Sequence, residues 1–465
     1  MGVAADATVV GAGPNGLAAA IELTRSGRRV LVIEAAKEIG GGTRTDELTL
    51  PGFLHDVCSA IHPSGIASPF FAEIGLEVDW IQSPLPFAHP LGEGEAVALH
   101  RSVDDTASQF GDDRSSYLDL MAPLVERLDA LVDEVLAPLT LIPDHLGPFA
   151  RIALLGTMSA ATMVSRFEDD GARGLFAGLA AHAVAPFGAL ATSGVALMLG
   201  AIGHAMGWPL ARGGSQSIAM ALADELTANG GSIETGRLVK TVDELEGDLF
   251  LLDVMPPAAY RIAKDRLSPS SLRRLPRWRR GPGVFKVDWA LDGPIPWSDR
   301  FSPDAATVHL GGTWEEIEAA ESEVFAGGHP GRPFVILAQQ SLFDGTRAPA
   351  GKHTAWGYCH VPNGSTVDMT AAIEAQIERF APGFADLVLE RHIRNATDYE
   401  RYNPNFVGGD VGGGQYGLRK LLQIGSKRPY SLGGGVFLCS SATPPGVGVH
   451  GMCGYFAARA ALDSM

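Results

Sequence analysis

Apolar positions near the amino terminus predict a strand, a helix and a second strand in quick succession. Ala7 to Val10 forms a short apolar run, small residues at helical spacing continue to about Ser26, and a second strand pattern covers Arg29 to Glu34. Strands and helices that alternate in this way build a parallel, right-handed βαβ unit. An α/β fold is therefore expected at this end of the chain.

The middle of the chain changes from helical spacing to strand patterns. Apolar residues from Ser115 to Leu136 recur at helical spacing with acidic residues between them, which predicts one amphipathic surface helix. Residues 145 to 206 predict further helices that carry little charge. Runs rich in β-branched and aromatic residues then predict strands at Val284 to Leu291, Phe334 to Leu337 and His353 to Val361.

Short α/β stretches return in two later parts of the chain. Ser217 to Ala228 predicts a helix that ends at Gly230 and Gly231, and two strands follow before Pro256. We therefore predict an α/β fold with a discontinuous Rossmann-type cofactor domain and an inserted α+β substrate domain. The cofactor domain is expected to comprise residues 1–75, 205–265 and 425–465, and the substrate domain residues 76–204 and 266–424.

The composition is that of a globular chain that buries a large core. Hydrophobic residues make up 46% and charged residues 19%, and the net charge of -17 disfavours nucleic acid as a partner. The four cysteines are scattered without CxxC spacing, so no metal site is expected. Met1 leads almost directly into the first strand, which leaves no room for a secretory signal. A reducing, cytoplasmic location is expected.

Two segments raise the question of a membrane. No Lys, Arg, Asp or Glu lies between Arg173 and Arg212, but Pro186 and Pro209 interrupt this run, and its many small residues favour buried helices over a membrane span. Arg261 to Arg280 contains eight basic residues and one acidic residue. That segment is either a solvated face or a site of peripheral contact with an anionic membrane surface.

A glycine motif directly follows the first predicted strand. In the run Val9-Val10-Gly11-Ala12-Gly13-Pro14-Asn15-Gly16, the first glycine permits a tight turn, the second clears space for a pyrophosphate, and the third lets helix and strand pack closely. The phosphates are expected at the helix N-terminus, and Glu34 is expected to accept the ribose hydroxyls. A second match, Gly412 to Gly417, lacks the βαβ context, so one dinucleotide is predicted.

Three segments together resemble a known family. They are GAGPNGLAAAIEL with VIEAAKEIGG near the start, GWPLARGGSQSIAMALADEL from Gly207, and LCSSATPPGVGVHGMCGYFAARAAL from Leu438. The chain resembles the phytoene desaturase-like branch of the FAD-dependent amine oxidase superfamily, which includes carotenoid desaturases and monoamine oxidases. The resemblance implies a Rossmann-type FAD-binding domain that holds FAD without a covalent link.

The resemblance also implies a set of cofactor residues. Gly42 stands where relatives commonly carry arginine, which leaves Arg44 as the expected diphosphate ligand, and Ser441 replaces a common acidic residue. Val239 is expected on a strand near the adenine. The full expected set is Gly11, Gly13, Pro14, Asn15, Gly16, Glu34, Ala35, Gly41, Gly42, Thr43, Arg44, Val239, Ser441, Gly448, Val449 and His450.

Four residues are candidates for the chemistry. Lys286 is either a solvent-facing strand lysine or, as the resemblance implies, a lysine that holds water at flavin N5. His450 either bonds the flavin pyrimidine and acts as an acid or base, or packs and caps locally. Asp56 and His62 lie in a stretch that resembles the family segment running past the flavin, so both are pocket candidates.

The expected function is that of a flavoprotein oxidoreductase. We expect dehydrogenation of an apolar or amphipathic small molecule, with C=C or C=N formation by hydride transfer to flavin N5 and reoxidation by oxygen or quinone. The uncharged stretch before Arg212 motivates the apolar substrate. An amine oxidase is the enzymatic alternative. A lipid-binding carrier of the same architecture, without redox chemistry, is the alternative from another class.

Overall fold

The computed structural model of the chain describes residues 5–138, 154–416 and 429–465. The strands within these ranges are β1 (Ala7–Val10), β2 (Val30–Ile33), β3 (Thr45–Glu47), β4 (Leu54–Asp56), β5 (Trp80–Ile81), β6 (Leu85–Gly92), β7 (Glu95–Leu99), β8 (Leu210–Ala211), β9 (Ser232–Glu234), β10 (Leu249–Leu252), β11 (Gly283–Leu291), β12 (Ala305–Leu310), β13 (Val335–Ala338), β14 (His353–Val361), β15 (Val388–Arg394), β16 (Ser431–Gly433) and β17 (Val436–Leu438).

The α-helices of the described residues lie between or after these strands in the sequence, singly or in groups. They are α1 (Pro14–Arg25), α2 (Pro63–Ile66), α3 (Pro69–Glu73), α4 (Val103–Ala107), α5 (Arg114–Val125), α6 (Leu128–Val135), α7 (Ala160–Val164), α8 (Asp170–Ala181), α9 (Thr192–Ala205), α10 (Gln216–Ala228), α11 (Pro256–Ala263), α12 (Pro269–Arg274), α13 (Trp314–Phe325), α14 (Thr370–Phe380), α15 (Ala396–Tyr402) and α16 (Met452–Leu462).

The first sheet joins strands from both ends of the chain. Its order is β16-β17-β10-β1-β2-β9, and all neighbouring strands are parallel except β16 and β17. Val9 and Leu251 pack against α1, α10 and α16, whereas Phe250 and Leu252 pack with α11 on the other face. The predicted βαβ unit is confirmed, with β1, α1 and β2 close to their expected bounds.

The strands of the second sheet lie in the two segments assigned to the predicted substrate domain. The order of this sheet is β15-β11-β14-β13-β12-β6-β7, and β12 with β6 is the parallel pair among antiparallel ones. Strands β11, β13 and β14 confirm the three strands predicted in this region. Trp356 and Tyr358 pack toward a layer of helices formed by α5 to α9, which we call the helical layer. Ala355 and Cys359 pack with α14 on the opposite face.

The helical layer differs from the sequence prediction at one point. The single helix expected over residues 115 to 136 is wrong, because α5 ends at Val125 and α6 begins at Leu128. Arg127 lies between them with φ −126° and ψ 25°, which is not helical, and Pro123 in the last turn of α5 has no N–H to donate. Both helices bury their apolar sides in the core.

The uncharged stretch before Arg212 forms α8 and α9, which are buried helices as expected. In the parts of the chain that the structure describes, no helix combines the length and the apolar character of a membrane span. The expected helices between residues 145 and 153 lie outside the described residues. Residues 412 to 416 form turns without a preceding strand, whereas Gly417, the last residue of the second glycine motif, lies outside the described residues.

Every strand of the first sheet lies in one of the three segments assigned to the cofactor domain. Residues 425–428 of the third segment lie outside the described residues. The segments are distant in sequence, and the parallel pairing of β1 with β10 and of β10 with β17 brings them together. The carboxyl ends of these strands meet at one edge, where ligands bind in open parallel sheets.

Candidate active site

The glycine turn between β1 and α1 forms one end of a large cavity. Gly11 has a φ of +104°, and a Cβ there would lie 2.8 Å from the carbonyl oxygen of Asp253. A Cβ on Gly16 would lie 2.0 Å from the carbonyl oxygen of Gly11, so helix and strand could not pack as they do. Because α1 begins at Pro14 beside the cavity, the positive end of its helix dipole favours a diphosphate at this turn.

Glu34 lies beside this turn at the carboxyl end of β2. Its Oε2 accepts a hydrogen bond from the amide of Ala12 at 2.8 Å, and its Oε1 accepts one from the amide of Ala36 at 2.9 Å. The side chain is largely buried but lines the cavity. A carboxylate has acceptor sites for about four hydrogen bonds, so capacity remains for ribose hydroxyls. That contact stays a prediction.

Arg44 closes the turn from the opposite side. Its Nη2 donates to the carbonyl oxygen of Glu38 at 2.8 Å and lies 3.3 Å from Oε1 of Glu34. Its guanidinium lies 5.4 Å from the ring centroid of Tyr402, within cation–π distance. These contacts fix the guanidinium at the cavity wall, next to Gly41 and the other residues of the short helical turn. Its role as a diphosphate ligand stays a prediction.

Asp253 is a buried carboxyl at the glycine turn that the sequence analysis did not single out. It follows β10, and its Oδ2 accepts a hydrogen bond from the amide of Gly16 at 3.0 Å. A Cβ on Gly13 would lie 2.9 Å from the same oxygen. Burial, and to a smaller extent the charge of Glu34, raise the pKa of Asp253 to about 7, although the bond from Gly16 lowers it. The turn therefore contains a titratable group near neutral pH.

The strand expected around Val239 is wrong. β9 ends at Glu234, and Gly236 follows in a turn with a φ of +74°, which is favourable for glycine. Val239 lies beyond this turn in an irregular segment and lines the cavity. The residue expected near the adenine is therefore at the cavity wall, but it is placed there by a loop.

The C-terminal glycine segment forms another wall of the cavity. Ser441, Gly448 and Val449 line it, and α16 begins at Met452, shortly after them. A Cβ on Gly454 would lie 1.8 Å from the carbonyl oxygen of Asn15, so small residues let α16 pack directly on α1. The two ends of the chain thus build one surface.

His450 is the predicted catalytic residue that lines the cavity. Its Nδ1 accepts a hydrogen bond from the amide of Met452 at 3.0 Å, which places the proton of a neutral ring on Nε2. Burial lowers the pKa of His450 to about 4, so the ring is neutral near pH 7. Its Nε2 is buried and has no hydrogen-bond partner among the described residues. His450 therefore offers one N–H donor at the cavity wall.

Asp56 and His62 lie behind the cavity wall. Asp56 Oδ2 pairs with Nη2 of Arg347 at 3.0 Å, and Oδ1 accepts from the amide of Ser215 at 2.7 Å and from Thr45 Oγ1 at 2.8 Å. His62 Nε2 lies 2.9 Å from Ser215 Oγ. The stretch from Cys58 to Ser64 passes along the cavity, but neither of these two side chains lines it. They link β4 and the segment before α2 to Ser215 and Arg347, and a catalytic role for them stays a prediction.

Lys286 is fully buried on β11, so the expectation of a solvent-facing lysine is wrong. Its Nζ pairs with Asp288 and donates to the carbonyl oxygen of Asp56 at 2.9 Å. It also lies 5.3 Å from the ring centroid of Trp356. Burial lowers the pKa of Lys286, although Asp288 opposes that shift. Lys286 does not line the cavity, but its cross-strand neighbour Tyr358 does.

The cavity continues from the glycine turn into an apolar chamber between the second sheet and the helical layer. Its volume is about 1260 Å³, whereas single small-molecule pockets measure about 300–1,000 Å³, so the space suits two ligands. Among the described residues, the chamber walls formed by α9, Trp208 and the second sheet carry uncharged side chains, and Asp410, which also lines the cavity, lies on the loop beside Gly281. The uncharged side chains include Val195, Met198, Leu199, Ile202, Trp208, Val284, Thr307, Ile336, Trp356 and Tyr358.

Several residues of this cavity were not predicted from the sequence. Asp253 had a usable signal, because a polar residue at the carboxyl end of a parallel strand is a common ligand position. Trp356 and Thr307 had none, since they lie on separate strands that the pairing of β12, β13 and β14 brings together. His182 had none because it follows α8, which is distant in sequence from both strands.

Comparisons with known proteins place this geometry in context. Residues 9–74 match the model of the NAD(P)-binding Rossmann-like domain. The chain is 26% identical to pyridine nucleotide-disulfide oxidoreductase domain-containing protein 2 of Rattus norvegicus over 549 aligned positions, with 98% of this chain and 92% of the relative covered. It is 24% identical to phytoene dehydrogenase of Streptomyces griseus, with 95% and 91% covered.

The fold is also that of a solved amine oxidase. The structure of cyclohexylamine oxidase from Brevibacterium oxydans superimposes with a TM-score of 0.62 at 18% identity and covers 99% of both chains. The fold class predicted from the sequence is therefore confirmed. The sequence relatives bear the names of oxidoreductases, the structural neighbour shares the fold, and the matched domain is of a dinucleotide-binding type.

Proposed function

Since the chain belongs to the FAD-dependent amine oxidase and desaturase superfamily, we propose that it binds one FAD and dehydrogenates an apolar or amphipathic small molecule. The reaction forms a C=C or C=N bond, and oxygen or a quinone takes up the electrons. The continuous cavity carries this proposal, because it joins a dinucleotide turn to an apolar chamber.

The residues at the glycine turn fit FAD. Gly13 leaves room for a diphosphate at the N-terminus of α1, Glu34 retains acceptor capacity for a ribose, and His450 holds an N–H group without a partner among the described residues. Bound FAD would supply the hydride acceptor, which no amino-acid side chain provides. The protein supplies alignment and a dry environment.

The chain's own residues can perform three tasks in this reaction. The chamber excludes water, because its walls of α9, Trp208 and the second sheet are apolar apart from a few uncharged polar groups. His450 can donate a hydrogen bond from Nε2 and so stabilise negative charge on a ligand that contacts it. Lys286 and Asp288 form a buried ion pair on β11, beside Tyr358 of the neighbouring strand β14, and stabilise this part of the sheet that borders the chamber.

Anaerobic mixing of the purified, flavin-loaded protein with terpenoids, polyenes, cyclic ketones and amines tests the proposal. The flavin absorbance is expected to bleach with an apolar compound. If no uncharged compound bleaches the flavin but an amine does, the chain is an amine oxidase. If the protein binds these compounds and none bleaches the flavin, the carrier alternative is favoured and the proposal is wrong.

The amine oxidase alternative has one observation in its favour. Lys286 lies beside two aromatic residues, Trp356 and Tyr358, whose ring centroids are 5.7 Å apart and which both line the cavity. Against it, the Lys286 ammonium pairs with Asp288, and the oxygens of Asp410, a carboxylate that lines the cavity, already accept hydrogen bonds from the amides of three glycines.

A further inference from the structure

One part of the apolar chamber contains polar side chains, and we call it the polar corner: His182, Thr307 and His309. His182 follows α8, and Thr307 and His309 are two residues apart on β12, which places them on the same face of the sheet. His182 and Thr307 line the cavity, and His309 lies directly behind His182. The rest of this region is made of apolar residues such as Met198 and Ile336.

The two histidines form a close pair. Their Nε2 atoms are 3.1 Å apart, and their ring centroids are 5.1 Å apart. The ring of Trp208 packs edge-on against His182 at 5.6 Å, and the ring of Phe87 packs against His309 at 4.5 Å. Two neutral imidazoles at this distance share one proton, so one ring donates and the other accepts.

The fold makes room for this pair. A Cβ on Gly178 of α8 would lie 2.4 Å from Nδ1 of His309, so any larger residue would displace the imidazole. Nδ1 of His309 and Oγ1 of Thr307 are buried and have no hydrogen-bond partner among the described residues. Buried polar groups nearly always have partners, so Oγ1 of Thr307, a residue that lines the cavity, indicates a partner that is not part of the described chain.

The polar corner carries no charge near neutral pH. Burial lowers the pKa of His182 to about 4, and burial also lowers the pKa of His309 well below its ordinary value. An anionic ligand would need a cation there, and a cationic ligand would need a carboxylate. The described side chains that pack against the two histidines, Trp208, Phe87 and Phe334, provide neither.

We propose that the polar corner binds one neutral oxygen, a hydroxyl or a carbonyl, of an otherwise apolar substrate. A neutral imidazole pair can present either a donor or an acceptor, according to which ring donates within the pair, so it suits both kinds of oxygen. Thr307 adds a hydroxyl with the same versatility. The inference rests on the proposed function, because it concerns the substrate of that same chamber.

The test compares a cyclic terpene ketone, the corresponding alcohol and the hydrocarbon with the same carbon skeleton. Dissociation constants for the oxidised, FAD-loaded protein are measured without turnover, from tryptophan fluorescence and from perturbation of the flavin spectrum. We expect the wild type to bind the ketone and the alcohol at least about ten-fold more tightly than the hydrocarbon, the scale of one hydrogen bond to a buried group.

Two variants locate the effect and one serves as a control. His182→Phe keeps a ring against Trp208, and Thr307→Val keeps the side-chain shape. In both variants the dissociation constants of the hydrocarbon and of the oxygenated compounds are expected to agree within about three-fold, because the hydrogen bond to the oxygen is lost. Thr354→Val is the matched control, because Thr354 is a buried threonine of the same sheet, with Oγ1 unpartnered among the described residues, and it does not line the cavity. The ratio of these dissociation constants in the control should equal that of the wild type.

The outcomes separate this inference from the proposed function. An unchanged ratio in both His182→Phe and Thr307→Val would overturn the polar corner, even if the flavin is bleached by substrate. Failure of the wild type to prefer or to bind the oxygenated compounds would also overturn it. Selective binding that depends on both residues, without bleaching by any compound, would support the corner and contradict the proposed dehydrogenation.

Discussion

The two halves of the cavity are built in different ways. The dinucleotide half is formed mainly by backbone, with Gly11, Gly13 and Gly16 close together in one βαβ unit. The substrate half is formed by side chains from α9, β12, β13, β14 and the adjoining loops, which are far apart in sequence. Short-range sequence patterns therefore describe the first half, whereas the second half exists only once both sheets have formed.

The two halves also differ in charge. Glu34, Arg44 and Asp253 surround the dinucleotide turn, whereas the chamber walls formed by α9, Trp208 and the second sheet are uncharged. A charged, hydrogen-bonding surface suits phosphates and ribose, and a dry apolar surface suits hydride transfer. The difference predicts that substitutions in one half affect flavin content and that substitutions in the other half affect substrate.

The largest effect is expected from Gly13→Val. The new side chain would collide with Asp253 and occupy the space for a diphosphate, so the purified variant should contain no flavin. The yellow colour of the wild type should be released by acid precipitation. Gly331→Val is the control, because Gly331 is exposed and a Cβ there meets no atom within 4 Å. Full flavin content in Gly13→Val would show that the site is elsewhere.

A charge introduced into the substrate half should slow the reaction with substrate and leave the flavin content unchanged. Leu199→Asp places a carboxylate in the chamber wall, and burying it beside an apolar substrate costs several kcal/mol. Flavin reduction by substrate is expected to slow by about 100-fold or more while flavin content is retained. Leu190→Asp serves for comparison, since Leu190 is 55% exposed. Equal rates in the two variants would mean that substrate binds elsewhere.

Lys286→Met tests whether Lys286 affects the flavin reactions as well as the stability of the fold. The variant should keep FAD but slow flavin reoxidation or substrate oxidation by about ten-fold or more, which corresponds to at least about 1.4 kcal/mol of barrier. It also leaves Asp288 buried without its ion-pair partner, which typically destabilises a protein by about 3–5 kcal/mol.

A second substitution separates these two effects of Lys286. The double variant Lys286→Met with Asp288→Asn removes the unpaired charge and should regain most of the lost stability in urea unfolding. If it also regains wild-type rates in both half-reactions, Lys286 has only a structural role and the amine oxidase analogy has no mechanistic support.

The smallest effect is expected from pH at the glycine turn. The pKa of Asp253 in the folded protein, about 7, is above its ordinary value, so the folded state binds this proton more tightly than the unfolded state. Its contribution to stability is complete below about pH 4 and is lost as pH rises through 7. The free energy of unfolding should fall by about 1 kcal/mol between pH 6 and pH 7, relative to Asp253→Asn. Parallel curves for the two proteins would contradict this assignment.

The first sheet shows how far the sequence pattern reaches. Strands β1 and β2 and helix α1 fall within one residue of their expected bounds, because each is specified by local apolar spacing and by glycines. The break between α5 and α6 could not be predicted in the same way, since helical spacing continues across Arg127 while the backbone does not. Pro123 is the local signal for that break, because a proline inside a helical pattern often ends or kinks the helix.

In the candidate site, too, some residues have a local signal in the sequence and others do not. Lys286 and Asp288 have a signal in the sequence, because charges two residues apart on an apolar strand share one face and can pair when buried. The positions of Asp56 and His62 depend on Arg347 and Ser215, which are more than 150 residues away in sequence. No local pattern identifies such partners, so the side chains that line the cavity could not be separated from those behind it.

Anaerobic stopped-flow mixing with NADH, NADPH and the best apolar ligand tests the central claim, one FAD facing one apolar chamber. The account predicts that the apolar ligand bleaches the flavin and that neither nicotinamide nucleotide does so at a catalytic rate, because the described residues show one dinucleotide turn in a βαβ unit. Rapid bleaching by either nucleotide would contradict it, since the cavity would then hold a second dinucleotide where the substrate is placed.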